Sequence, residues 1–329
     1  MLFYPGWIVT YYYKKFIILN QIFTLENYDI ITVKDDFLSA LLAIYFKNKY
    51  GMRFVFQYTF PIEGYKYNKA NSIYAYYISK IQEYIQYYVL KRADFVFPIS
   101  KSMEFILKSN GVSNLKMMAL PMGVNHTLFS PEERKMNIKE AFSIGSSKVI
   151  LYLGSMDKIR SLEIIFYAFT TVLKFYPNSV LLMVGDGDSK KDLENLSKTL
   201  HIAKNVIFTG QVPYSDVPSY IAAADICLSP IAPLDIYKMS SPTKIFEYMA
   251  MCKPIVANEE IIDQKEVIEE CKCGILVKFE SDSFANGIIR LLNDFDKLEN
   301  MGKIGRTWVI KNRSYEILAK KVEKVFVRL

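Results

Sequence analysis

Short apolar runs alternate with longer mixed stretches along the chain. The runs at 29–33, 53–58, 94–98, 148–153, 179–184, 205–208, 225–229, 254–257 and 274–277 are almost continuously apolar. Strands look like this when helices cover both faces of a parallel sheet. Between them, apolar residues recur at helical spacing over 36–50, 70–92, 100–109, 161–176, 189–200, 214–223, 243–251 and 283–293, and again over 296–311 and 314–327. This alternation predicts βαβ units and doubly wound α/β domains. The pattern lapses over 121–147, which holds two prolines and many polar residues. The expected organisation is an N-terminal domain at 1–125, a linker at 126–147, a C-terminal domain at 148–305, and a last segment at 306–329 that packs back on the first domain. Two such domains would face each other across a cleft at the carboxyl ends of their strands. Ligands of doubly wound sheets bind there, because helix N-termini present free N–H groups and positive dipole ends.

Composition narrows the class. With 51% apolar and 23% charged residues in 329, the chain can bury real cores and is not a disordered one. Four cysteines exclude a disulfide scaffold and fit a reducing compartment. The charge is lopsided: residues 1–130 carry 14 Lys and Arg against 8 Asp and Glu, and 16 of the 24 Tyr. A basic, Tyr-rich front suits nucleic acid, an anionic membrane surface, or a compositional bias alone. The most apolar stretch, 1–23, is interrupted by Lys14 and Lys15, short of the ~20 unbroken residues of a span. It also lacks the marks of a signal peptide. The expected location is cytoplasmic, with peripheral contact at the cytoplasmic face of a membrane. The stripe Tyr74, Tyr77, Ile78, Ile81, Ile85 and Tyr88 is read as a core-facing side of its helix rather than a lipid-facing one.

Three segments could carry chemistry. GSMDKIR (154–160) follows a strand directly; Gly154 allows close backbone approach, Arg160 suits a diphosphate, and Ser155 could add a hydroxyl. A solvated arginine at a plain helix start is the competing reading. GDGD (185–188) is not a dinucleotide fingerprint; it fits a tight turn with Asp188 as helix N-cap, or a ligand contact. In SSPTKIFEYMAMCKPIVA (240–257), Pro242 suits a first helical turn. Lys244 and Glu247 share one helical face there, for phosphate and ribose hydroxyls or as a surface ion pair. Other chemistries find no support. His126 and His201 fall in different domains, and the C-x-C of Cys271 and Cys273 does not match zinc spacing.

Taken in order, these segments resemble the C-terminal domain of the family 4 (group 1) retaining glycosyltransferases, in the subgroup with the P-x-K-x-x-E-Y-M-A segment. GSMDKIRSLEIIFYAF is similar to the family's first strand, loop and helix. VLLMVGDGDSKKDLENLSKTLHIAKNVIFTGQVPYSDVPSYIAAADICLSP is similar to its middle, and SPTKIFEYMAMCKPIVA with CGILVKF to its end, so the likeness covers about 148–294. DIITVKDDFLSALLA, DFVFPISKSMEFIL and ALPMGVNHTLF resemble the later N-domain and linker more loosely.

The resemblance implies a GT-B fold of two Rossmann-like domains and transfer, with retention, of a sugar from a UDP- or GDP-linked donor. The acceptor would be a saccharide or lipid-linked, in cell-surface polysaccharide, glycolipid or glycan synthesis. No cofactor and no metal would be required, and no nucleic acid partner. By the same resemblance Ser155, Arg160 and Lys244 hold the diphosphate, Glu247 the ribose, and Gly210, Gln211 and Val212 the base. Gly154, Gly185, Gly187, Ser241 and Thr243 line the remaining loops of the donor pocket. The chain departs from the pattern at Met239, where the first Glu of E-x(7)-E would stand, at Cys252 in place of Gly, and in QYTFPIEG (57–64), which has no His. Its N-domain is also expected to lack the family's opening strand and Gly-rich loop. The rival readings are therefore a donor-binding subunit completed by a second polypeptide, a GT-B nucleotide-sugar epimerase, and, on charge alone, a nucleic-acid binder, which predicts salt-sensitive binding to any DNA or RNA.

Overall fold

A computed structural model describes residues 5–59, 73–132 and 135–329. The chain divides into two compact units, Met1–Pro121 with Lys321–Leu329, and Met122–Lys320.

The first unit contains α1 (Pro5–Leu25), β1 (Ile30–Lys34), α2 (Phe37–Tyr50), β2 (Arg53–Tyr58), α3 (Ile73–Arg92), β3 (Phe95–Pro98) and α4 (Lys101–Ser109). Its three strands run parallel in the order β1-β2-β3, with Ile30 beside Arg53 and Val55 beside Phe95. Asp36 caps α2 by accepting from the Ser39 N–H at 3.1 Å, and Gly51 ends that helix at φ 74°. Phe46, Phe54 and Phe56 are fully buried. Asp94 ties the layers together: it accepts from the Phe54 N–H at 2.8 Å and pairs with Lys47 at 2.8 Å.

One stretch without an expected element gains one here, and one sequence expectation changes. The interrupted stretch at 1–23 forms α1, whose inner side meets α2 through Tyr12 on Asp36 at 2.9 Å, Lys15 on Ser39, and Phe16 and Phe23 against Phe46. Its outer side leaves Trp7, Ile18 and Leu25 exposed, and no described helix is long and apolar enough to cross a membrane. In α3, Tyr77 and Ile81 are exposed, not core-facing. The buried side is instead Gln86, Val89 and Leu90, with Gln86 donating to the Tyr58 hydroxyl at 2.6 Å. The side chains of Tyr74 and Ile78 lie outside the described set, as do residues 60–64 of QYTFPIEG.

The second unit contains α5 (Ile138–Ala141), β4 (Lys148–Leu153), α6 (Glu163–Phe175), β5 (Ser179–Val184), α7 (Lys190–Thr199), β6 (Val206–Gly210), α8 (Val217–Ala223), β7 (Ile226–Ser229), α9 (Asp235–Lys238), α10 (Thr243–Ala250), β8 (Ile255–Asn258), α11 (Ile262–Cys271), β9 (Gly274–Val277), α12 (Ser281–Leu292) and α13 (Phe295–Arg313). In α14 (Tyr315–Phe326), residues up to Lys320 group with this unit and those from Lys321 with the first. The six strands run parallel in the order β6-β5-β4-β7-β8-β9. Successive side chains point to opposite faces, so each strand feeds two cores. Val149, Leu151, Leu182 and Val184 join one cluster, and Ile150, Tyr152, Leu181 and Met183 the other. This two-sided burial is why the strands read as unbroken apolar runs.

α11 has no counterpart among the expected helices. Its buried positions include Asp263 and Gln264, so it shows no apolar stripe. α13 packs on α10, and a Cβ on Gly302 would overlap the Cys252 carbonyl. The sulfurs of Cys271 and Cys273, the C-x-C that did not match zinc spacing, lie against each other.

Candidate active site

In the order β6-β5-β4-β7-β8-β9 the connections diverge between β4 and β7. That divergence is a topological switch point, where an open α/β sheet leaves a crevice beyond its carboxyl ends. Three loops there are laced together by backbone. Gly154, at φ 142°, donates its N–H to Val184 at 2.9 Å, and Gly185, at φ 134°, donates to Gly210 at 3.1 Å. A Cβ on Gly185 would overlap the Gly154 carbonyl, and one on Gly187 would overlap the Met156 carbonyl. The GDGD turn is glycine-rich because the loop after β4 lies directly on it. Asp188 corrects a sequence expectation: it does not cap α7, whose N-cap is Ser189, but accepts from the Lys158 N–H at 2.7 Å across the loops.

Two cations converge beside these loops. Arg160 closes the 3-10 turn Lys158–Arg160, and its guanidinium stacks on Tyr237 at 4.9 Å. Its Nε is buried without a hydrogen-bond partner. Lys244 stands in the first turn of α10, with Nζ 4.2 Å from the centre of the Tyr152 ring and 3.1 Å from where a Cβ on Gly154 would lie. Burial first, and then the charge of Arg160, push its pKa down to about 7, against the pull of Glu247. Tyr152 is itself buried, and its hydroxyl donates to the Ser155 carbonyl at 2.8 Å, which holds the loop against the ring. No side chain caps the N-terminus of α10. Its leading N–H groups therefore add to the positive field.

One turn further along α10, Glu247 is 6% exposed. Burial raises its pKa, while the Tyr214 hydroxyl, donating to Oε1 at 3.1 Å, and Lys244 draw it back. Tyr214 comes from the loop after β6 and packs edge-on to Phe129 at 5.4 Å.

Arg160, Lys244, Ser155, Gly154, Gly185 and Gly187 thus sit on touching loops, and Gly210 joins them through its carbonyl. Glu247 adjoins this group through Lys244. Gln211 is exposed and Val212 half-buried, in the stretch that leads to Tyr214. Thr243 begins α10 and is half-buried. Ser241 differs: its hydroxyl donates to Asp263 at 2.6 Å and accepts from the Met122 N–H at 3.0 Å, so it serves the framework. Tyr152, Tyr214 and Tyr237 went unread in the sequence, although eight tyrosines behind residue 131 were available to consider. Among the described residues no group of three His, Cys, Asp or Glu side chains gathers as a metal site.

Comparison with known proteins places the chain in a family. The family model for glycosyl transferases, group 1, matches residues 133–308, more than half of the chain. The chain is a group 1 glycosyl transferase. One relative is the GDP-mannose-dependent alpha-(1-6)-phosphatidylinositol monomannoside mannosyltransferase of Mycolicibacterium smegmatis, 25% identical over 59% of this chain and 51% of that protein. Another is the alpha-monoglucosyldiacylglycerol synthase of Streptococcus pneumoniae, 27% identical over 61% of this chain and 46% of that one. The chain spans about half the length of the curated relatives it matches. Among solved structures, Anabaena HepE in complex with UDP superposes with a TM-score of 0.79 at 16% identity, covering 95% of this chain and 82% of its own. WaaG, involved in lipopolysaccharide biosynthesis, gives 0.67 at 15% identity over 86% and 80%. Both likenesses show the fold. This group 1 transferase has the two parallel-sheet units of the GT-B class.

Proposed function

We propose that this chain transfers a sugar, with retention, from a UDP- or GDP-linked donor to a saccharide or lipid-linked acceptor. The observation that carries the reading is the pair Arg160 and Lys244. Both are cations turned toward aromatic faces at the switch point, neither ion-paired among the described residues. Positive charge without an ion-pair contact in a partly buried crevice is stabilised by an anionic ligand, and a diphosphate beside free helix N–H groups is one of matching chemistry. Glu247 would take the ribose hydroxyls, and the backbone of Gly210, Gln211 and Val212 the base.

In the reaction, the bond from the sugar's anomeric carbon to the diphosphate oxygen breaks, and the nucleoside diphosphate leaves with the electron pair. A new bond forms from that carbon to an acceptor hydroxyl, whose proton passes to the departing diphosphate or to solvent. Arg160 and Lys244 would stabilise the charge that grows on the leaving group, an electrostatic contribution to catalysis. The acceptor would be taken by the first unit, whose Tyr-rich, net positive composition and exposed Trp7, Ile18 and Leu25 suit a lipid-linked substrate at an anionic cytoplasmic membrane face. Two relatives named for lipid substrates or products support that reading.

The test is direct. Arg160→Ala and Glu247→Ala should each weaken UDP or GDP binding about 10-fold or more, the loss of charge-assisted hydrogen bonds worth about 1.5–3 kcal/mol. Unchanged affinity in both variants, read by calorimetry, sinks the assignment.

A further inference from the structure

A carboxylate that holds two ribose hydroxyls must present its free oxygen in one direction, and Glu247 cannot do so alone. It lies on α10 with one oxygen already committed to the Tyr214 hydroxyl at 3.1 Å. Tyr214 is itself anchored. Its ring meets Phe129, which is fully buried, and the Phe129 carbonyl accepts from Arg306 of α13 at 3.0 Å. Yet Tyr214 is 53% exposed, so a residue with a surface position spends its polar end inward on a buried carboxylate. Of the groups that face Glu247, Tyr214 is the one that donates to it and Lys244 acts on it through charge, while Glu247 itself raises the pKa of Tyr248 and Tyr315.

Resting on the reading of Glu247 as the ribose ligand, we infer that Tyr214 is a positioning residue for nucleotide recognition: its hydroxyl fixes Oε1 and leaves Oε2 aimed at the ribose. The donated hydrogen bond does a second thing. Burial alone favours the neutral acid, which is a poor partner for two hydroxyl donors. The Tyr214 hydroxyl draws the Glu247 pKa down against the burial that raises it. Tyr214 acts through Glu247 and is not a catalytic residue.

The experiment compares UDP and GDP with their 2′,3′-dideoxy forms on the wild type, Tyr214→Phe and Glu247→Gln, with dissociation constants taken by calorimetry at pH 6.5 and 8. The ratio of ribo to dideoxy affinity isolates the ribose contact, because both ligands carry the same diphosphate to Lys244. The wild type should prefer the ribonucleotide, and Glu247→Gln should lose most of that preference. Tyr214→Phe should cut it about 3- to 10-fold and leave dideoxynucleotide affinity unchanged. A Tyr214→Phe ratio equal to wild type, with the ratio of Glu247→Gln lowered, overturns the inference and leaves the ribose reading standing. Equal loss of ribo and dideoxy affinity in Tyr214→Phe also overturns it, since that is a structural or base-contact role. An unchanged ratio in Glu247→Gln, or a wild type that binds neither nucleotide, overturns the ribose reading itself.

Discussion

Replacing Lys244 by Met should weaken nucleoside diphosphate binding about 10- to 100-fold near pH 6.5, abolish its pH slope above 7, and make the unliganded protein more stable. The three effects have one cause. Lys244 is held against Tyr152 and Gly154, near Arg160 from the loop after β4 and Glu247 from its own helix, with its pKa lowered to about 7. The unfolded chain keeps that lysine protonated to about 10.5. Between those two values the unfolded state therefore binds more protons than the folded one, so stability of the empty protein rises with pH across that window. Below pH 7 the charge is present in both states, and the folded state bears the full cost of burying it. An anionic ligand reverses the balance by favouring the charged amine. Binding above pH 7 must then draw a proton from solvent, and affinity should fall by up to about tenfold per pH unit until the pKa of the complex is reached. The ligand's own terminal phosphate has finished ionising by then, its second pKa being about 6. Calorimetry in buffers of different ionisation enthalpy reads the proton uptake directly. It should approach one proton per site at pH 8 in the wild type and vanish in Lys244→Met.

Gly185→Ala should be the most damaging single methyl in the second unit. At φ 134°, alanine is strained wherever it points, and here its Cβ would lie on the Gly154 carbonyl. Backbone on backbone cannot yield as a flexible side chain would, so the loops after β4 and β5 must part. A cost of about 3 kcal/mol or more is expected, or roughly a 6–12 °C fall in Tm for a unit of this size. Gly145→Ala is the matched control. It shares a positive φ of 61° but has open space around it, so it should cost only about 1 kcal/mol. Folded Gly185→Ala protein should also bind nucleotide poorly, because Gly154 is the wall against which Lys244 rests. A Tm change no larger than that of Gly145→Ala would mean that the two loops do not touch as described.

What could be read from the sequence follows from where each signal resides. Strands β4, β5, β7 and β8 were legible because their side chains are buried on both faces, which leaves a nearly continuous apolar run. Arg160, Lys244 and Glu247 were legible because each sits at a fixed short distance from a strand end or a proline that marks a helix start. α1 and α11 were not, since neither presents one apolar stripe against a polar back. Tyr214 was invisible for a different reason. Its partner lies 33 residues away on another element, and only the sheet order brings the loop after β6 to α10. Asp188 shows the limit of local rules: it has the chemistry of an N-cap and the position of one, yet its carboxylate serves the neighbouring loop 30 residues back.

The most direct measurement of the central claim, that the second unit holds a nucleoside diphosphate at Arg160 and Lys244, is the melting temperature of the full chain with and without a panel of nucleotides and nucleotide sugars. A ligand at 100 times its dissociation constant adds about 2.7 kcal/mol, so UDP or GDP and at least one of their sugars should raise the wild-type Tm by roughly 5–10 °C. Lys244→Met should show little of that rise at the same concentration. A wild type that ignores every nucleoside diphosphate, or a variant that responds as fully as the wild type, would mean that Arg160 and Lys244 do not hold a nucleoside diphosphate.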